Sequence, residues 1–286
     1  MVFSNSEYGR LKRVLLCRPE YLTIGTPINV IAKKNIDKGK DVTIEAACKE
    51  HDEFVEAFKL HGVEVMLSKT HKRYPYEVNT RDLGVTTPKG IIFGRYLEPL
   101  HWGEHRLAEI VLEENKIPIY HKLDRGLFEG GDFMYIDDKK AAVGIASRTN
   151  YLGFEALKYA LYDTGLTLYP IEFHKDYLHL DMIFNVIGEK TVILCKEALP
   201  DSLIKMLKQE RFTIIEITKE EVFLHGCNLL NIGNNVIFSH PQAGNINKKL
   251  KSLGFEVVII NLKEVLKSGG GPRCMSFPVE RELVKS

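Results

Sequence analysis

Asp132-Phe133-Met134-Tyr135-Ile136 is followed by a turn and by Ala141-Ala142-Val143-Gly144-Ile145, and this pair of runs indicates which class of α/β fold to expect. Both runs are short and apolar, and the connection between them is short enough for a hairpin. A helical pattern over 151–163 and a closing strand over 167–173 come next. The unit is therefore strand, strand, helix, strand. A doubly wound α/β sheet, in which single strands alternate with helices, does not contain such hairpins.

The same order of elements returns along the chain at intervals of roughly forty to fifty residues, as in repeat architectures. One copy runs over 182–217 and a plainer one over 228–260, where Asn234-Asn235 predicts a hairpin turn and Gly254 a helix C-cap. Two earlier copies, over 13–65 and 82–119, are less regular. Because five such units can close radially and leave few strand edges exposed, we predict a radial α/β fold.

Composition narrows the class of protein. The 286 residues carry 39 basic and 38 acidic side chains and no basic block, so we expect no nucleic-acid partner. The apolar runs are strand-sized and predict no membrane span. Met1 to Arg13 is polar and lacks the apolar core of a signal peptide. The five cysteines contain no CxxC pair, which favours a cytoplasmic location over a disulfide scaffold or a structural zinc site.

The segment 18–41 interrupts the repeat. It has little periodicity and contains two prolines and two glycines. Long irregular segments in compact domains are often functional lids, and a mobile surface loop is the alternative interpretation.

Polar motifs fall where the units begin. In a radial fold all unit starts could point into one central cleft, which would bring a cysteine, a histidine and several acids together. An arginine precedes the cysteine, and its charge would favour the thiolate if it points at the sulfur. The motifs are Asn79-Thr80-Arg81-Asp82, Glu129-Gly130-Gly131-Asp132, His179-Leu180-Asp181 and Gly269-Gly270-Gly271-Pro272-Arg273-Cys274-Met275-Ser276.

These residue types suit one kind of chemistry. Cys274 is a nucleophile once it is a thiolate, His179 is the natural acid/base, and Glu129 could hold the imidazole. Asp82 and Asp181 are then spare carboxylates. Buried carboxylates beside a cysteine disfavour the thiolate, but they suit a planar cation with several N–H donors, such as a guanidinium.

Each motif also has another interpretation. Glu-Gly-Gly-Asp is a common turn composition, and His-x-Asp is often a structural pair. A metal site built from His179, Asp181, Asp82 and Glu129 is a competing hypothesis. The cysteine behind the glycine run weakens it, since a site of hard oxygen ligands does not need a thiol. We therefore expect no metal and no cofactor.

Taken in order, the Glu129, His179 and Cys274 motifs resemble those of the guanidino-group-modifying enzymes of the pentein superfamily. That group includes arginine deiminases, dimethylarginine dimethylaminohydrolases and glycine amidinotransferases. The resemblance implies a five-bladed α/β propeller of ββαβ repeats with pseudo-fivefold symmetry, and a single catalytic domain over 1–286. It also implies a covalent amidino adduct on Cys274, with His179 as acid/base oriented by Glu129. Asp82 and Asp181 would hold the guanidinium.

The resemblance also includes a residue that is expected to bind the carboxylate of the substrate. Arg148, in Ser147-Arg148-Thr149-Asn150, is the counterpart of an arginine that binds the substrate carboxylate; from the residues alone it would be a solvated loop cation. Asn228 matches an asparagine often found in the last blade. A second carboxylate-binding arginine is absent before Glu104, where this chain has His101-Trp102-Gly103. The length also leaves no room for the extra helical domain of long arginine deiminases.

The motifs resemble different subfamilies of this group. Asp181 is shared with deiminases and amidinotransferases, Pro272-Arg273-Cys274-Met275 resembles deiminases, and Tyr151-Leu152-Gly153 resembles amidinotransferases. We expect a hydrolase that cleaves a guanidino C–N bond of arginine or an arginine derivative. The alternatives are an amidinotransferase and a non-catalytic pentein binding protein. The expected partner is a small guanidino substrate, and a homodimer is compatible with the sequence.

Overall fold

Five sheets of three strands each make up the protein, in a computed structural model that describes residues 3–285. In every sheet the middle strand pairs antiparallel with one neighbour and parallel with the other. The strands are β1 (Leu11–Leu16), β2 (Glu64–Leu67), β3 (Gly84–Thr87), β4 (Gly90–Phe93), β5 (Ile119–Lys122), β6 (Phe133–Tyr135), β7 (Lys140–Ile145), β8 (Thr167–Glu172), β9 (Phe184–Gly188), β10 (Thr191–Leu194), β11 (Thr213–Glu216), β12 (Leu230–Gly233), β13 (Val236–Ser239), β14 (Glu256–Ile259) and β15 (Phe277–Arg281).

Each sheet has a helix in the crossover between its parallel strands, as parallel pairing requires. These helices are α2 (Ile44–Leu60), α3 (Glu104–Glu114), α4 (Tyr151–Ala160), α5 (Asp201–Gln209) and α7 (Gly244–Ser252). The short helix α1 (Val30–Ile36) precedes α2 in the first crossover, and α6 (Lys219–Phe223) connects the fourth sheet to the fifth. The ββαβ repeat and the five-bladed propeller are thus confirmed.

The unit over 132–173 shows how the sequence produces a blade. Asn150 caps α4 by accepting a hydrogen bond from the Gly153 N–H, at 2.9 Å. One face of α4 is buried against the sheet through Phe154 and Leu157, which are 4% and 0% exposed. The strands β6 and β7 are almost fully buried, so their apolar residues form a continuous run instead of alternating with polar ones.

The first blade differs from the prediction because its antiparallel edge strand, the buried one, comes from the other end of the chain. β15 pairs antiparallel with β1, with Leu15 opposite Phe277 and Val14 opposite Pro278. The sequence pattern shows no first strand before Arg13 for this reason. The C-terminal strand closes the ring of blades, and it fixes the position of the cysteine motif that immediately precedes it.

The segment 18–41 contains the short helix α1. Its cap residue Asn29 accepts a hydrogen bond from Ala32 N and donates one to the Ser268 carbonyl at 2.8 Å, and Asn35 donates to the Lys267 carbonyl at 3.1 Å. The helix has only seven residues and buries only two, which explains the weak periodicity. The segment is therefore attached to the turn that leads into the cysteine motif.

Apolar side chains fill the space between neighbouring blades. The largest cluster joins the β6–β8, β9–β11 and β12–β14 sheets and includes Met134, Phe184 and Ile237, each fully buried. Across residues 3–285, no helix combines the length and the apolar character needed to cross a bilayer.

Candidate active site

The motifs at the unit starts lie together in the structure. Residues 80–83, 130–132 and 180–182 each form one turn of 3₁₀ helix directly before β3, β6 and β9. Cys274 lies before β15, and Asn228 before β12. Each blade therefore contributes the residues just before its first strand, and hydrogen bonds and ion pairs connect these residues.

His179 lies between two carboxylates. Its Nε2 is 2.8 Å from Oε2 of Glu129, and its Nδ1 is 3.6 Å from Oδ1 of Asp82. All three side chains are buried. Burial lowers the pKa of His179, but the charges of Asp82, Glu129 and Asp132 outweigh it and raise that pKa to about 10. The imidazole is therefore held as the imidazolium at neutral pH.

The pKa values of the two carboxyl groups are shifted in opposite directions. Burial raises the pKa of Asp82 to about 6, although the charge of His179 acts against it. Burial alone would raise the pKa of Glu129. The hydrogen bond from His179 and the positive charges of His179 and Arg148 outweigh burial and lower this pKa to about 2. Glu129 is therefore the permanently ionised partner of the imidazolium.

Cys274 is buried and contacts two polar side chains. Its Sγ lies 2.9 Å from Nδ2 of Asn228 and 3.5 Å from Oδ2 of Asp181. Oδ1 of Asn228 accepts hydrogen bonds from the backbone N–H groups of Cys274 and Gly271, both at 3.1 Å. Burial and the charges of Asp181 and Asp82 raise the pKa of the thiol well above its ordinary value, with Asn228 and Arg273 acting in the other direction.

Arg273 does not act mainly on the sulfur. Its Nη1 donates to Oδ2 of Asp181 at 2.9 Å, and its Nη2 donates to the Phe133 carbonyl at 2.8 Å. Its charge is a smaller influence on the Cys274 pKa than burial or Asp181. The Arg273 charge thus acts in the expected direction on the thiol, but its hydrogen bonds go to Asp181 and the Phe133 carbonyl, and it mainly holds Asp181 in place.

Two carboxylate oxygens near Cys274 accept no hydrogen bond within residues 3–285, although Oδ1 of Asp82 lies 3.6 Å from the His179 ring. Within residues 3–285, Oδ1 of Asp82 and Oδ1 of Asp181 are buried and receive no hydrogen bond, and Oδ1 of Asn79 is in the same state. Unpaired buried acceptors are rare in folded proteins and call for an explanation. These oxygens can accept N–H donors from a bound molecule.

Gly131 explains why the Glu-Gly-Gly-Asp motif needs glycine. A Cβ at this position would lie 2.7 Å from the ring of His179 and 2.9 Å from Oδ1 of Asp82. The neighbouring Asp132 accepts a hydrogen bond from Leu180 N at 2.9 Å, which ties this turn to the His179 turn. The motif therefore does more than form a turn: Gly131 leaves room for the His179 ring, and Asp132 holds the His179 turn.

Arg148 is buried, and it is not a solvated loop cation. Its Nη1 is 3.4 Å from both carboxylate oxygens of Glu129, and its Nη2 donates to the Ile28 carbonyl at 3.0 Å. Oε1 of Glu98 is 3.8 Å from Nη2. Arg148, Ile28 and Glu98 line a cleft of about 310 Å³, which residues 27–30 of the segment 18–41 also line. Arg148 therefore joins the Glu129–His179 pair to the segment that contains α1.

His101, which stands where a second arginine was missing, belongs to a separate pair. Its Nδ1 is 2.8 Å from Oε1 of Glu104, and its ring stacks on Tyr96 with centroids 4.9 Å apart. Burial lowers its pKa, but Glu104 more than compensates, so the net shift is upward. This pair is close enough to influence the titration of Glu129 and Asp82.

Asp82, Glu129 and His179 could also hold a metal ion. One ligand atom from each lies within 4.8 Å of the others, and all three are buried. In the structure, however, Oε2 of Glu129 is occupied by its hydrogen bond to Nε2 of His179. Metal binding through that nitrogen would have to break this hydrogen bond.

Sequence reasoning gave Asn228 no role, although the structure gives it the shortest polar contact of Cys274 Sγ. Its place at a unit start, like that of Glu129 and His179, was the available signal. The contact of Arg148 with the Ile28 carbonyl had no signal in the sequence, because a backbone acceptor can come from any residue.

Comparison with known proteins gives a consistent result. Residues 18–281 match the family model "N,N dimethylarginine dimethylhydrolase, eukaryotic". The uncharacterized Bacillus subtilis protein YkgA is 34% identical over 276 residues, covering 96% of this chain and 94% of its own.

Solved structures share the fold. The N-terminal domain of ArgZ, a cyanobacterial arginine dihydrolase, bound to its product, has a TM-score of 0.82 at 23% identity, over 94% of this chain and 97% of its own. Pseudomonas aeruginosa DDAH, as a cysteine-to-serine variant with citrulline, gives 0.79 at 21% identity, over 94% and 99%. AgrE gives 0.83 at 20% identity over 96% of this chain, which spans only 40% of AgrE. The chain belongs to the dimethylarginine dimethylhydrolase family, a family of guanidino-modifying hydrolases within the pentein superfamily.

Proposed function

We propose that this protein hydrolyses a guanidino C–N bond of arginine or an arginine derivative, with Cys274 as the nucleophile. The observation that carries the proposal is that, within residues 3–285, two buried carboxylate oxygens near the Cys274 sulfur, Oδ1 of Asp82 and Oδ1 of Asp181, accept no hydrogen bond. A guanidinium presents N–H donors on its edges and an electrophilic carbon at its centre. Bound between the two carboxylates, it would bring that carbon to the sulfur.

Substrate binding would also activate the nucleophile. Asp181 and Asp82 are the charges that raise the pKa of the Cys274 thiol most, after burial. A guanidinium paired with them cancels their effect and adds a positive charge next to the sulfur, so the thiol loses its proton to solvent as the cation binds. The Asn228 N–H then stabilises the thiolate.

The first chemical step forms the covalent adduct. The thiolate adds to the guanidinium carbon, and a C–S bond forms. His179, which is protonated at neutral pH, donates its proton to the leaving nitrogen. The C–N bond breaks, and ammonia or an alkylamine leaves. Glu129 holds the imidazole in orientation at 2.8 Å.

The second step releases the product. His179 is now neutral and takes a proton from a water molecule as that water adds to the amidino carbon. The C–S bond breaks, the departing sulfur takes up the remaining hydroxyl proton to restore the Cys274 thiol, and the product is the corresponding urea. The family match, the arginine dihydrolase ArgZ and the DDAH variant with citrulline support this class of reaction.

Product analysis tests the proposal. The enzyme is incubated with arginine, dimethylarginine, agmatine or a guanidino acid, and ammonia, alkylamine and urea-type products are measured after removal of metals with EDTA. Cys274→Ser should lose turnover and the covalent adduct seen by intact mass, whereas Cys48→Ser, at another buried thiol, should keep both. Full activity of Cys274→Ser would contradict the mechanism. Product formation only after an amine acceptor is added would instead identify an amidinotransferase.

We also propose where and in what form the enzyme acts. Its five cysteines are all unpaired, which supports a reducing cytoplasm. A site assembled from all five blades supports one catalytic domain over 1–286. A homodimer stays a prediction that light scattering would test.

A further inference from the structure

A cluster of buried charges lies beside the candidate active site. Arg81, Arg273 and Arg281 are each at most 7% exposed, as is Glu7. Arg273 Nη2 is 3.4 Å from Oε1 of Glu7, and Arg281 donates to the carbonyls of Gly9 and Asn231 at 2.7 and 2.8 Å. Three guanidinium groups therefore share a region with one glutamate.

Arg81 is incompletely paired. Its Nε donates to the Arg273 carbonyl at 3.4 Å, but across residues 3–285 its buried Nη2 has no hydrogen-bond partner. Arg81 lines a cavity of about 20 Å³. A cavity needs about 10–15 Å³ to hold one water molecule, so there is room for one small occupant and no more. Other polar residues that line this cavity are Ser6, Glu7, Tyr135 and Arg281.

The charges that face the cavity do not balance. Among the described residues that line the cavity, Glu7 is the one acid that faces Arg81 and Arg281. The charge of Asp181 also reaches Arg81, but this carboxylate pairs with Arg273 at 2.9 Å. Burial and neighbouring arginines lower the pKa of Arg81 to about 9, which leaves it charged at neutral pH. An uncompensated buried charge is unfavourable, and a water molecule in the cavity would not neutralise it.

We propose that this cavity binds one small monovalent anion of halide size, held by the Nη2 group of Arg81. Chloride has the charge and the size that the cavity requires, whereas sulfate and phosphate are too large for it. The hydroxyl of Ser6 is a second donor on the cavity wall. The backbone N–H of Arg81 also donates to the Cys274 carbonyl at 3.0 Å, so the anion would brace the turn that carries the nucleophile.

Thermal unfolding tests the proposal independently of catalysis. The midpoint is measured in sodium chloride, bromide and gluconate at one ionic strength. Because a ligand that binds only the folded state stabilises it, the midpoint should rise with chloride or bromide and not with gluconate. Arg81→Gln should remove this halide response. Glu7→Gln, which removes the opposing charge, should bind chloride about tenfold more tightly or better. Arg106→Gln, a change at an exposed arginine, should leave the response unchanged.

Crystals grown in bromide provide a second test that no variant can compromise by failing to fold. An anomalous peak beside Nη2 of Arg81 in the unaltered chain supports the proposal. Equal midpoints in chloride and gluconate, or bromide crystals without that peak, would overturn it in favour of a bound water.

Discussion

Asn228 donates a hydrogen bond from Nδ2 to the Cys274 sulfur at 2.9 Å, and its Oδ1 accepts the backbone N–H of the same cysteine at 3.1 Å. One side chain thus positions the nucleophile and opposes the two carboxylates that disfavour its thiolate. Hydrogen bonds to a charged group are stronger than those between neutral groups, so this contact gains strength when the proton leaves.

Asn228→Asp should slow the enzyme by about 10- to 100-fold in kcat/KM, because a charge-assisted hydrogen bond is replaced by repulsion. The Cys274 thiol pKa should rise further, which the pH dependence of iodoacetamide alkylation measures. Asn228→Ala, which loses the donor without adding a charge, should fall between the aspartate variant and the unaltered enzyme. An aspartate variant that alkylates as fast as the unaltered enzyme would show that the contact does not support the thiolate.

The repeat could be predicted from sequence because each blade is built from neighbouring segments. Apolar runs, turn residues and helical periodicity are local signals, and α4 begins at Tyr151, where the helical pattern over 151–163 begins. The β1–β15 pairing joins the two ends of the chain. No local pattern specifies such a partner, so the closing strand of the first blade was not predicted.

The site was predictable only as a set of residue types. Glu129, His179 and Cys274 have functional groups that suggest roles, and their places at unit starts suggested convergence. The direction of Arg273 was not predictable, since its nearest acceptors, Asp181 and the Phe133 carbonyl, come from other blades. The pairing of Arg148 with Glu129 likewise depends on the meeting of separate elements.

Glu129→Gln should move the alkaline limb of kcat to lower pH. His179 has a raised pKa of about 10, to which Asp82 contributes most and Glu129 next. The imidazolium is thus present below this pH and lost above it, and removal of the Glu129 charge brings that loss to lower pH. We also expect kcat to fall by about 100-fold or more, since the imidazole loses its orienting carboxylate.

The pH–rate profile and an NMR titration of His179 measure both effects. Glu98→Gln is the matched control, because Glu98 lies 3.8 Å from Arg148 and makes no hydrogen bond or ion pair with His179 among the described contacts. An unchanged His179 pKa in Glu129→Gln would refute the role of Glu129.

Arg148→Met should separate substrate anchoring from support of Glu129. If Arg148 binds the substrate carboxylate, as the family resemblance implies, KM for arginine should rise about tenfold relative to agmatine, which has no carboxylate. Because Nη1 of Arg148 is 3.4 Å from Glu129, kcat should fall for both substrates. Lys33→Met is the control: this lysine lines the same cleft, but its side chain is 67% exposed. Equal KM changes for arginine and agmatine would assign Arg148 to the support of Glu129 alone.

His51→Met should make the protein more resistant to acid. His51 is 1% exposed, and within residues 3–285 neither ring nitrogen has a hydrogen-bond partner. Burial lowers its pKa from 6.5 to about 4. The unfolded chain therefore binds a proton near pH 6.5 that the folded chain refuses until about pH 4, so stability is lost as the pH falls through this window. The loss from this residue is about 2 kcal/mol at pH 5.

Urea unfolding at pH 7 and pH 5 measures this loss. The difference in unfolding free energy between the two pH values should be about 2 kcal/mol smaller in His51→Met than in the unaltered protein. His174→Gln, a change at a histidine whose side chain is 66% exposed, is the control. The buried His225 and His240 and the half-buried His105 also have lowered pKa values, so the variant should keep part of the acid sensitivity. A variant with the full pH dependence of the unaltered protein would show that His51 is protonated in the folded state.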